Sequence, residues 1–167
     1  MKTKLSLISA VALLLFVAAC KKEHQELQNA TFTACPENTS CSYVYVSNAN
    51  LSSYKIVPGN FRVFRARFQT DYSTTTFRFK TDLAKTNFSI TDTNIKAGAV
   101  KYLFSCPACD WIGIEPAGGY IKGTKVNNKW LIDGALIMKS VHGLNYSDTV
   151  YIKQYFIPAT DPEIIIQ

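Results

Sequence analysis

Histidine, acidic residues and helical periodicity are all scarce in this chain, and each scarcity removes a class of function. Only two of the 167 residues are histidine, and His24 falls in a polar stretch near the N-terminus. A Ser-His or Cys-His nucleophile pair would therefore have to use His142. No serine sits in a nucleophile-elbow pattern, and no loop carries the glycine spacing that cradles phosphate. No three Asp, Glu or His residues stand at metal-ligand spacing, so neither a metal nor a cofactor is expected. Candidates for paired-carboxylate chemistry reduce to Asp110, Glu115, Asp133 and Asp148. Glycine (8) and proline (6) are few beside 13% aromatic residues, which favours strands around a real core. Charged residues make up 18% against 47% hydrophobic, a balance that excludes a disordered or low-complexity chain.

Long apolar runs are also nearly absent. The one exception, residues 5–19, follows Met1-Lys2-Thr3-Lys4 and carries no charge. As a helix it would reach only about 22 Å, short for a bilayer span but suited to the hydrophobic region of a signal peptide. It ends Val17-Ala18-Ala19-Cys20, small residues followed at once by a cysteine. This arrangement resembles the lipobox of bacterial lipoproteins, and the resemblance covers the leader alone. It implies cleavage before Cys20, lipidation of that cysteine and a membrane tether. Two or three acyl chains hold firmly where one holds only marginally. The charged stretch Lys21-Lys22-Glu23 after Cys20 is similar to the export tethers of Bacteroidetes surface lipoproteins, which implies an outer-membrane location on the periplasmic face or the cell surface. Residue 21 is not Asp, the residue that tends to retain enteric lipoproteins in the inner membrane. Removing Lys2 and Lys4 leaves 16 basic residues against 12 acidic, a net +4. That is far from the basic footprint of a nucleic-acid binder, so no nucleic-acid partner is expected. The expected organisation is a leader over 1–19, a lipidated Cys20 with polar tether over 20–31, and one β-domain over 32–167.

Four cysteines remain beyond the tether: Cys35, Cys41, Cys106 and Cys109. In an oxidising compartment they favour two structural disulfides, and sequence leaves all three pairings open. Local closure, Cys35 with Cys41 and Cys106 with Cys109, costs the least loop entropy and stabilises least. Cys106-Pro107-Ala108-Cys109 also fits a thiol-disulfide oxidoreductase, but such a motif should open a helix, and strand patterns flank this one. A four-thiolate zinc site is disfavoured outside the cytosol.

From Cys41 onward the hydrophobic period is two. Over 42–47, Val44 and Val46 alternate with Tyr43 and Tyr45, and the tyrosines are expected outside. Over 61–68, Phe64, Ala66 and Phe68 point inward with Arg65 and Arg67 outward. Over 75–80, Phe77 and Phe79 point inward with Arg78 and Lys80 outward. Further strands fall at 99–104, 111–115, 120–126, 129–139 and 149–157, with a tight turn at Asn127-Asn128 and loops at 116–119 and 142–145. The segment 129–139 is the longest of them, with Trp130, Ile132, Leu136 and Met138 on one face. In the last, Val150, Ile152 and Phe156 point inward while Tyr151, Lys153 and Tyr155 face outward. One short helix is expected at 82–86, and 164–166 could add an edge strand. Eight or nine short strands predict an all-β antiparallel sandwich or barrel.

All four arginines (Arg62, Arg65, Arg67, Arg78) fall in one predicted hairpin. Arg65, Arg67, Arg78 and Lys80 should share its solvent face, either as a patch for an anionic glycan, lipid or protein partner or as charge that keeps an edge hairpin from aggregating. Outward tyrosines offer sugar-stacking platforms, or simply pack across strands. Asp148-Thr149-Val150 resembles an O-glycosylation acceptor of exported Bacteroidetes proteins. The resulting expectation is a lipid-anchored, non-enzymatic binding or structural module, against the alternative of a small extracytoplasmic enzyme, either a thiol oxidoreductase or a hydrolase.

Overall fold

The computed structural model describes residues 31–109, 113–142 and 145–159. The leader, Cys20, Asp110 and the strand-prone tail lie outside the described residues. In chain order the elements are β1 (Ser40–Ser52), β2 (Lys55–Gln69), β3 (Thr74–Asp82), β4 (Asn87–Ile90), α1 (Asp92–Lys96), β5 (Lys101–Ser105), β6 (Ile114–Val126), β7 (Lys129–Ser140) and β8 (Ser147–Pro158). Hydrogen bonding orders them β4-β6-β7-β8-β1-β2-β3-β5 in one eight-stranded sheet that does not close into a barrel. The protein is thus all-β, as its alternation predicts. The longest strand is β2, not the expected 129–139 segment, because β2 continues past a corner described below.

The sheet consists of two antiparallel halves, β4-β6-β7-β8 and β1-β2-β3-β5. They join where β8 runs parallel to β1 through two residue pairs, Val44 with Ile157 and Tyr45 with Pro158. Five strand spacings separate β4 from β2, roughly 24 Å in a flat sheet at about 4.8 Å each. Yet the ring centroids of Phe64 on β2 and Phe88 on β4 are 5.3 Å apart. The sheet therefore curls until its two halves face each other. Phe64, Ala66, Phe77, Phe79, Trp130, Ile132, Leu136, Ile152 and Phe156 fill the space between them, as the inward parity of each strand predicts. The lumen is solid with side chains.

The edge strands β4 and β5 are linked through α1, which bridges the seam left by incomplete closure. Its Ile95 is buried in the core. Thr91 caps the helix in a reciprocal capping box with Asn94, and Asp92 accepts from the Gly119 amide at 3.0 Å. The short helix expected at 82–86 is instead a turn: Asp82 ends β3, and Asn87 already pairs with Thr124 as β4 begins. Gly119 has φ +110° shortly after the bulge between Pro116 and Gly118 in β6, and an added Cβ there would collide with the Ala135 carbonyl.

A second correction concerns β1. Tyr43 and Tyr45 face the core, Tyr43 at 5.5 Å from Phe156 and Tyr45 at 5.9 Å from Phe64, while Val44 and Val46 lie on the outer face. Both faces of β1 are covered, so its alternation carried no sign for inside. Replacing Phe64 by Ala should cost about 3–5 kcal/mol, because the cavity is walled by other rings that cannot collapse into it. Urea unfolding of the variant checks this, and a loss below about 1 kcal/mol would contradict the central packing.

Candidate functional site

The arginines share a face but are not displayed on it. Arg65 lies directly across from Arg78 in the β2–β3 register, with Arg67 beside them across from Thr76. Arg65 is 6% exposed and Arg78 5%. The cover is the far end of the β1–β2 hairpin. Its register breaks where Ala49 faces both Pro58 and Phe61, and Asn48 has φ 56°. A Cβ on Gly59 would sit 2.6 Å from that of Asn50, so this corner requires glycine. Arg65 is four positions beyond Phe61, and Tyr54 is four before Pro58. Each arm is thus about 13 Å long, and folding at the corner lays the tip over the arginine row. Arg78 Nη1 accordingly donates to the Tyr54 carbonyl, Lys80 Nζ donates to Asn50 Oδ1 at 2.8 Å, and Ala49, Ile56 and Val63 form a small apolar cluster beneath. Burial, then the like charges of Arg67 and Arg78, lower the pKa of the Arg65 guanidinium. Neither β2 nor β3 is an edge of the sheet, so these charges do not guard one. Arg62 has the opposite parity and faces inward, its guanidinium 4.9 Å from the Trp130 ring and 5.6 Å from Tyr45.

The cysteines pair locally, Cys35 with Cys41 and Cys106 with Cys109. The first closes the turn leading into β1 from Thr33, whose amide donates to the Lys153 carbonyl on β8. The second closes a turn directly after β5, with the Cys109 amide donating to the Cys106 carbonyl at 3.3 Å, and no described helix begins there. His142 is exposed in a bend. The described carboxylates among the candidates do not converge: Glu115 lies on a cleft of about 470 Å³ beside α1, Asp133 is mid-sheet on β7, and Asp148 accepts from the Thr149 amide. Among the described residues no three His, Cys, Asp or Glu gather as a metal site.

The remaining concentration of chemistry is the outer face of β6, β7 and β8. Register places Tyr120, Ala135 and Tyr151 in one row and Lys122, Asp133 and Lys153 in the next. Tyr120 is 41% exposed and Tyr151 64%, with only a methyl group between them. The Tyr120 hydroxyl donates to Asp133 Oδ1 at 3.3 Å, and Lys153 Nζ reaches Asp133 Oδ2 at 3.6 Å. The Asp133 charge foremost raises the Tyr120 phenol above its ordinary pKa, and Tyr151 adds to the effect. Of the tyrosines expected outside, Tyr151 and Tyr155 lie on this face, whereas Tyr43 and Tyr45 do not. Tyr120 was not among them, although a two-residue turn at Asn127-Asn128 pairs Val126 with Lys129 and so dictates Tyr120 opposite Ala135.

Compared with known protein families, curated proteins and solved structures, the chain matches none.

Two outcomes test this geometry. Arg78→Gln removes the donor to Tyr54, a bond of about 1.5–3 kcal/mol, while relieving repulsion from Arg65 and Arg67. Amide exchange should accelerate at Tyr54 and Ile56 ahead of any global loss, and unchanged protection there would refute the folded-back tip. Separately, Cys35, Cys41, Cys106 and Cys109 should show no free thiol in the folded exported chain and no turnover in insulin reduction. Turnover abolished by Cys106→Ala would make the second disulfide catalytic.

Proposed function

We propose that this chain is a lipid-anchored β-domain of the bacterial outer membrane, on its periplasmic face or at the cell surface, acting as a non-enzymatic binding module. The observation that carries the binding reading is a contrast. The interior is packed with Phe64, Phe79, Trp130 and Phe156 and offers no lumen, whereas the outer face of β6–β8 displays Tyr120, Tyr151, Lys122, Asp133 and Lys153 to solvent. Rings and charges held on a rigid sheet, with only the Ala135 methyl between the rings, are suited to holding a ligand. Two local disulfides agree with an oxidising compartment, the environment to which a lipobox leader delivers its cargo. They cross-link short loops and should contribute about 2 kcal/mol each, bracing rather than creating the fold.

The anchor is tested at Cys20. The wild-type chain should partition into detergent and incorporate labelled fatty acid, and Cys20→Ser should abolish both. A variant that still partitions and labels like wild type would remove the lipid tether from this reading.

A further inference from the structure

We infer that the outer face of β6, β7 and β8 is a binding site for a linear acidic oligosaccharide, one carrying carboxylated sugars. This rests on the proposal of a binding module and names its ligand. Tyr120 and Tyr151 are separated by two strand spacings, roughly 10 Å, and only Ala135 lies between them. That span fits alternate pyranose rings of an extended chain lying across the strands, with the intervening sugar over Ala135. The apolar C–H face of a sugar packs on an aromatic ring while its hydroxyls remain free for polar partners. Those partners stand one row away, where Asp133 accepts from hydroxyls and Lys122 and Lys153 donate.

The sign of the charge selects the acidic glycan. On this face Lys122, Lys129, Lys139 and Lys153 outnumber Asp133 and Glu115, all six alternating outward by the register. Lys153 and the Tyr120 hydroxyl both engage Asp133 in the free protein, which spends much of the one central negative charge inside the site. Lys122 Nζ lies 5.6 Å from the Tyr120 ring centroid, next to where a sugar on that ring would place its carboxylate. A neutral glycan could use the rings but would bring no counterion to the lysines. A single-stranded nucleic acid could use both, and so it serves as the competing outcome.

The test uses the mature exported chain in detergent, titrated with short oligogalacturonate, oligoalginate and heparin-derived oligosaccharides, with their carboxyl-reduced counterparts, and with a single-stranded DNA oligonucleotide. At least one acidic oligosaccharide should bind, its carboxyl-reduced form roughly tenfold or more weaker, and rising salt should erase most of that difference. Tyr151→Ala, at a mostly exposed position whose loss leaves the core intact, should weaken binding of charged and neutral forms alike by roughly tenfold, the scale of one lost stacking contact. Lys153→Gln should weaken the charged form selectively. Tyr72→Ala, an exposed ring in the β2–β3 turn, should change nothing. Absence of binding to every acidic oligosaccharide, indifference to Tyr151→Ala, or equal affinity for the DNA would each overturn the inference. Its failure is separable from failure of the anchor, since Cys20→Ser alters partitioning without touching this face.

Discussion

Phe64 makes ring contacts with Tyr45, Phe79, Phe88, Trp130 and Phe156, which come from five different strands and both halves of the sheet. Among the described residues the β1–β8 joint has two ladder pairs, extended by the Ala159 amide donating to the Tyr45 carbonyl, so much of the association of the halves rests on side chains. Each aromatic pair adds about 0.5–1.5 kcal/mol beyond the area it buries, enough in sum to hold a sheet curled that its backbone leaves open. Rings that fill the lumen leave no room for a ligand there, so the proposed binding reading looks to an outer face.

The two outer faces are built in opposite ways. On β2 and β3 the hairpin tip folds back and covers the guanidiniums, and burial and mutual repulsion lower the pKa of Arg65. Desolvating clustered charge is costly, and the Tyr54 carbonyl offsets part of that cost at Arg78. On β6, β7 and β8 the rings of Tyr120 and Tyr151 stay in contact with solvent, with Lys122 Nζ near the first, and Asp133 accepts from the Tyr120 hydroxyl. Positive charge alone would have favoured the first face as the binding surface. Solvent access favours the second, on which the proposed binding reading rests.

What the sequence by itself determined was local. Alternation assigned inward and outward sides correctly for β2, β3, β7 and β8 because the pleat sends successive side chains to opposite faces wherever one side is wet. The spacing of the cysteines made local closure the least costly pairing, and the two-residue turn at Asn127-Asn128 set the β6–β7 register. Tertiary structure decided the rest, since each remaining feature depends on segments far apart in the chain. Tyr43 and Tyr45 turned inward because β1 is covered on both sides, a condition that makes alternation uninformative. Parity puts Arg65 and Arg78 on the solvent side, yet parity reports only the side of the sheet, not whether another segment folds over that side. Tyr151 reached the row of Tyr120 only through the β7–β8 pairing, whose longer loop does not impose a register. A side chain's direction is set by its own backbone, whereas its exposure is set by whatever the rest of the chain packs against it.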